Sequence, residues 1–361
     1  MRIIFTVTND LNYDQRMIRI CNTLIENDYE IKIIGRKFID SHTLEKKKYH
    51  QKRLKLFFKK GFGFYFEYNL RLFFYLLFQK TDILCCIDLD TMLPVFLTSV
   101  LKRKIKVYDA HEYFSQQKEI ITRPNIYRVW HFLERTLVPK FKKGYTVSEG
   151  ITKEFLKHYK VNYKIIRNVP LLKPLPRINP KEKIILYQGS VNEGRGFEYL
   201  IPAMEKVNAT LFIYGDGNFL NKANALVLKN QLQNKVFFKG KFLPAEADQI
   251  TQQAYIGINL VEPLGENQFL SLANKFFDYM HNAIPQVTMD FPEYKRINDE
   301  FEIALLINDL SVQSVAKSIN LLLEDKELYF RLQQNCRKAR DAYNWQNEEK
   351  KLLEFYQQLV K

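Results

Sequence analysis

The chain has 361 residues and is 46% apolar, with 28 Phe and 21 Tyr; that length exceeds one ordinary core, and that composition excludes global disorder. Its formal charge is +15, and the excess is one-sided: residues 1–170 hold 32 Lys and Arg against 17 Asp and Glu, whereas residues 171–361 hold 23 of each. The first half is therefore expected to attract something anionic, whether a membrane leaflet, a nucleic acid or a charged substrate.

In chain order, Met1 opens directly into "RIIFTV" (2–7), a strand-like run without the pattern of a signal peptide. Met17, Ile20, Cys21 and Leu24 follow at the spacing of a helix face. "EIKIIGR" (30–36), "DILCCID" (82–88), "KVYDAH" (106–111) and "KGYTVS" (143–148) are further short strand-like runs. Between the first two of these lies the tract 53–80, which interleaves aromatics with cations. It reads either as an amphipathic stretch on an anionic membrane or as a buried helix with Lys on its solvent face. No run reaches the roughly 18 apolar residues of a membrane span. No RNA- or DNA-binding motif accompanies the cations, so nucleic acid is not an expected partner. Cys21, Cys85, Cys86 and Cys336 form no CxxC pair and read as reduced core thiols of a cytoplasmic protein. "IDLDTM" (87–92) contains a DxD, but two carboxylates are a thin ligand set and no metal is expected. Asp88 and Asp90 read as strand-end residues that touch an acceptor or simply form a turn.

Residues 168–183 hold four prolines among basic residues and read as a linker. The alternation then restarts. Strands are expected at 184–189, 210–217, 235–240, 254–261 and 284–290, and helices at about 197–206, 245–254, 272–282, 312–324 and 345–360. The fold class is α/β, two Rossmann-like doubly wound domains facing a cleft, with ligands at the carboxyl ends of the strands.

Two motifs carry chemistry. "LYQGSVNEGRGFEYL" (186–200) packs Gly189, Gly194 and Gly196 between a strand and a helix face of Phe197, Leu200, Ile201 and Met204. Glycines let the backbone approach an anion, the helix start offers free N–H groups, and Arg195 adds a two-pronged donor. Such a loop also occurs as a plain turn. Pro202 removes a backbone hydrogen bond and is expected to shorten or kink the helix. In "SLANKFFDYMHNAIPQV" (271–287), Ser271 is a candidate N-cap and Phe276 and Met280 a core face, while Asn274 and Asp278 share another face with Lys275 beside them. An ammonium suits phosphate, and a carboxylate one turn on suits a vicinal diol. Together they fit a nucleoside diphosphate.

This arrangement resembles GT-B glycosyltransferases, specifically the retaining family 4 (group 1) type. Gly189, Arg195 and Gly196 match the family's "GR…KG" loop, with Ser190 where Arg is usual. "YGDG" (214–217), with Gly215, resembles the end of the next strand, and "NKFFDYMHNAIPQV" resembles the segment usually written "LEAMAxGxPVI". Asp278 aligns with the glutamate that contacts the ribose. The family's other glutamate falls at Leu270, and Glu262 or Glu266 is its candidate replacement. "VYDAHEYF" (107–114) places His111 as the sugar-contacting histidine. "TVSEGI" (146–151) and "IIRNVP" (165–170) resemble landmarks ahead of the linker, and "YNWQNEEKKLLEFY" (343–356) resembles the terminal helix.

The resemblance implies an acceptor domain over 1–167, a linker over 168–183, a donor domain over 184–342 and a helix over 343–361 that crosses back. Arg195 and Lys275 would neutralise the leaving diphosphate, with Ser190, Gly194, Ser271, Asn274 and Asp278 around the donor and main chain near Gly240 and Lys241 at the base. Asn9, Arg16, Asp88, Asp90 and Glu112 would meet the acceptor. It implies no cofactor beyond the sugar-nucleotide donor, a glycan or lipid-linked acceptor, and a cytoplasmic location, peripheral at the inner membrane face. A sugar-nucleotide epimerase of this fold and a non-catalytic scaffold are the alternatives.

Overall fold

A computed structural model describes residues 1–39, 41–175 and 182–359. The chain divides into two compact units, Met1–Asn168 with the chain from Glu348 onward, and Val169–Asn347.

The first unit is built on a parallel sheet of seven strands: β1 (Arg2–Thr6), β2 (Glu30–Arg36), β3 (His50–Leu54), β4 (Ile83–Ile87), β5 (Ile105–Ala110), β6 (Gly144–Thr146) and β7 (Lys164–Ile165), in the order β3-β2-β1-β4-β5-β6-β7. β4 is buried along its whole length, and β1 in all but its first residue. Continuous apolar runs such as "ILCCI" are what a strand covered on both faces requires. Helix Gln15–Ile25 buries Met17, Ile20, Cys21 and Leu24, and Asp14 caps it by accepting from the Met17 N–H. Helix Trp345–Gln358 begins in the second unit and ends in the first, where the Tyr356 ring meets Phe5, Tyr29 and Tyr145. All four cysteines are free and buried.

The second unit has six parallel strands: β8 (Ile184–Gln188), β9 (Thr210–Tyr214), β10 (Val236–Gly240), β11 (Ile256–Asn259), β12 (Gln286–Met289) and β13 (Ala304–Ile307), in the order β10-β9-β8-β11-β12-β13. Helix Phe197–Ala203 buries Phe197, Leu200 and Ile201, and at Pro202 it gives way to a tight turn over Met204–Lys206. The missing N–H shortens the helix, as expected. Val169 belongs to this unit's core, and the Trp345 N–H donates to the Pro170 carbonyl at 2.8 Å. The first residues of the proline-rich segment are thus built into the second unit. Residues 176–181 lie outside the described residues.

In each sheet the order reverses once, between β1 and β4 and between β8 and β11. Chains leaving the two reversal strands diverge and open a crevice at their carboxyl ends. The segments there are 7–9 and 88–90 in the first unit, and 189–196 and 260–266 in the second.

Candidate functional site

In the second unit three strand-end loops hold one another through main chain. Gly189 N–H donates to the Tyr214 carbonyl at 3.0 Å, Gly215 N–H to Gly240 at 2.8 Å, Val191 N–H to Asp216 at 2.9 Å and Glu262 N–H to Gly194 at 2.9 Å. The approach requires glycine. A Cβ on Gly215, whose φ is +144°, would lie 1.8 Å from the Gly189 carbonyl oxygen. Gly189, Gly194 and Gly196 all have positive φ, and Gly196 stands at the start of helix Phe197–Ala203.

Against this loop lies Lys275, in the first turn of helix Asn274–His281. Its side chain runs beside Gly189, where a Cβ would be 3.7 Å from Nζ. The Nζ sits 3.5 Å from the centre of the Tyr187 ring, and the residue is 9% exposed. This buried amine has no hydrogen-bond partner. Burial, reinforced by the Arg195 guanidinium and opposed by Asp278, pushes it well below the ordinary lysine range. An orphaned buried donor costs free energy until something accepts from it. The site therefore offers a donor to an acceptor group.

One turn on, Asp278 accepts from Gln188 Nε2 at 2.9 Å, and Gln188 Oε1 accepts from the Thr251 hydroxyl at 2.9 Å. Gln188 is the last residue of β8 and fixes the carboxylate's direction; it carries no motif, and the sequence reading missed it. Ser271 does not cap the helix. The helix starts three residues later, its N-cap is Ala273 without a side-chain cap, and the Ser271 hydroxyl turns to the Gln268 carbonyl at 3.4 Å. Ser190 lends its carbonyl to the Tyr187 hydroxyl at 2.7 Å. Lys241 pairs with Asp216 at 3.3 Å on the surface beyond Gly240. Glu262 is half-buried beside the loop, whereas Glu266 is exposed at the start of helix Glu266–Leu270.

In the first unit a second group gathers at the β1/β4 reversal and the end of β5. Asp88 has φ of +56° and accepts from the N–H groups of His111 at 3.0 Å and Glu112 at 3.2 Å. Burial, with Glu112, Asp90 and Asp109 nearby, raises its carboxyl well above the usual range. Burial likewise raises Asp90 to about 7, although the Thr8 hydroxyl donates to it at 2.6 Å. His111 is driven down to about 3 by burial and by the charges of Arg16 and Arg19, so it serves as a neutral imidazole. The amide of exposed Asn9 donates to Asp14 at 3.2 Å, and Glu112 accepts from Gln117. Arg16 is a correction. It is buried, not turned to an acceptor: its Nε and Nη2 meet Asp109 at 3.1 and 2.9 Å, and its Nη1 donates to the Ile166 carbonyl at 3.0 Å. A guanidinium inside a core needs such a fork of acceptors, and β5 supplies it. Among the described residues no group of three or more His, Cys, Asp or Glu could hold a metal ion.

Residues 171–339 match the family model described as Glycosyl transferases group 1. No curated protein matches the sequence. Among solved structures, the chain resembles sucrose-phosphate synthase from Thermosynechococcus elongatus (TM-score 0.82, 16% identity, 100% of this chain and 99% of that one). It also resembles HepE from Anabaena, solved in complex with UDP and glucose (0.76, 14%, 99% of each chain). A third is WaaG, a glycosyltransferase involved in lipopolysaccharide biosynthesis (0.76, 16%, 97% and 98%).

Proposed function

We propose that this chain, a glycosyltransferase with a group 1 domain as its second unit and the GT-B fold, moves a sugar from a nucleoside-diphosphate sugar to a cell-envelope or polysaccharide acceptor, with retention, at the cytosolic membrane face. One observation carries the donor reading: the buried Lys275 amine, which has no hydrogen-bond acceptor, set against the glycine loop. A diphosphate supplies the acceptor oxygens that the amine lacks. When the bond between the anomeric carbon and the β-phosphate oxygen breaks, negative charge grows on the diphosphate. Arg195, Lys275 and the positive dipole end of helix Asn274–His281 stabilise it where it forms.

Asp278, aimed by Gln188, accepts from the ribose hydroxyls. Neutral His111 orients the sugar without adding charge. Glu262 takes the place of the glutamate missing at Leu270, because its N–H is tied to Gly194 while Glu266 faces solvent. Asn9, Asp88, Asp90 and Glu112 meet the acceptor. The UDP and glucose in the HepE complex make a uridine-diphosphate hexose the first donor to try.

The test is turnover. The protein is mixed with a panel of sugar nucleotides and membrane-extracted glycan acceptors, nucleoside-diphosphate release is followed, and the product anomer is read by NMR. Acceptor-dependent release with the donor's anomeric configuration kept supports the proposal. An inverted product, or conversion of the donor sugar without an acceptor, refutes it.

A further inference from the structure

Helix Gly61–Leu77 is apolar on both sides. One ridge, Phe64, Tyr68, Leu72 and Leu76, is buried. A second ridge runs two residues out of step, roughly 200° around the helix: Phe62, Phe66, Leu70 and Phe74, continued by Phe78, are between 45% and 84% exposed. The solvent side of a helix ordinarily carries charge; here Arg71 alone supplies it. Phe57 and Phe58 extend the exposed ridge, and their N–H groups are held by the Glu67 carboxylate at 2.9 Å.

The neighbouring helices continue the patch. Helix Met92–Leu101 packs beside it and exposes Leu93, Leu97, Val100 and Leu101. Helix Pro124–Leu137, whose Trp130 meets Tyr65 edge to face at 5.0 Å, exposes Ile126, Val129 and Phe132. The three helices link β3 to β4, β4 to β5 and β5 to β6, all in one direction along the sheet order. Right-handed crossovers therefore put them on one face. An apolar area spread over three helices marks an interaction surface.

Charge selects the occupant. The rim is cationic, with exposed Lys55, Lys59, Lys60 and Lys80 flanking the first helix, Arg103 beyond the second, and Arg123, Arg128 and Arg135 on or beside the third. The three helices contain two carboxylates, Glu67, engaged as above, and Glu134, which is buried; the flanks that supply the cations add exposed Glu119 beside Arg123. Two copies meeting through this face would oppose like rims. No helix among the described residues is long and apolar enough to cross a membrane. We propose that this three-helix face docks on an anionic lipid bilayer, its phenylalanines at the boundary of headgroups and chains and its rim cations on lipid phosphates.

This deepens the membrane location in the proposed function and rests on that part alone. The full chain is sedimented with phosphatidylcholine vesicles, with and without phosphatidylglycerol, at low and high salt. Binding is expected to need the anionic lipid, to weaken with salt, and to fall about tenfold or more in Phe66→Ser/Phe74→Ser. Phe330→Ser, at an exposed apolar position of the second unit, should bind as the wild type does. In Phe66→Trp, emission should shift to the blue on anionic vesicles, a readout that loses no apolar surface. Absence of binding, equal binding by the double variant, an unshifted tryptophan, or a dimer that the double variant dissolves would each overturn the proposal. Nucleotide binding measured on the same samples reports the donor site separately, so either reading can fail alone.

Discussion

Glu134 shows what burial does to one side chain. It is 0% exposed, and although the Ser115 and Tyr159 hydroxyls lie nearby, neither carboxyl oxygen has a well-formed hydrogen bond. Desolvation dominates and raises the group from 4.5 to about 7. The unfolded chain loses this proton near 4.5, while the folded chain keeps it to about 7. Stability is therefore undiminished below 4.5 and falls as pH rises to about 7, by about 3 kcal/mol in total. Glu134→Gln is expected to flatten that fall in denaturant titrations across the window; parallel wild-type and variant profiles would contradict it. Lys275 works with the opposite charge. Burial holds its amine below the ordinary lysine range, so the charge that meets a phosphate is lost earlier as pH rises: diphosphate affinity should drop, and the heat of binding should vary with the buffer's ionisation enthalpy. In Lys275→Met the buffer dependence should shrink to what the diphosphate's own ionisation supplies.

Elements explain why some residues were legible and others not. β1, β4, β8 and β11 declare themselves as apolar runs because both their faces are covered. β3, "HQKRL", buries only Leu54 and lacks any such signal, as an edge strand does; β7 has two residues, and β13, the other sheet's edge, buries only its two end residues. Arg16, in a basic half, reads as a surface cation, because its partner Asp109 lies 93 residues away and only the sheet brings them together. Removing one member leaves the other buried and uncompensated. Arg16→Met is expected to cost about 3 to 5 kcal/mol, and Arg16→Met/Asp109→Leu to recover most of it. A double variant as unstable as the single one would argue against the pair. Ser271 was misread because residue type suggests a cap while the turn through Leu272 and Ala273 places the helix start beyond it. The glycine loop was legible because its backbone needs are written in residue identity. Gly215→Ala should therefore part the loop from β9 and abolish nucleotide binding while the first unit keeps its fold; unchanged binding would contradict the close approach.

At the scale of the molecule, each unit sets its chemistry at its own sheet reversal. The first gathers carboxylates and a neutral histidine, the second a glycine loop and a buried amine. The alternation of strands and helices made both sheets readable from sequence, and the motif order made the glycine loop and the lysine-bearing helix readable. Gln188, the buried Arg16 and the joining of the 53–80 tract with two further helices into one apolar face were not, since each depends on what packs against it. The most direct measurement is calorimetric titration of UDP, GDP, ADP and dTDP into the wild type and Lys275→Met. Selective binding of one diphosphate, weakened about tenfold or more by the substitution, is the predicted result. Equal affinity in the two folded proteins, or no binding by the wild type, would contradict the assignment of the loop at Gly189–Gly196 as the diphosphate cradle.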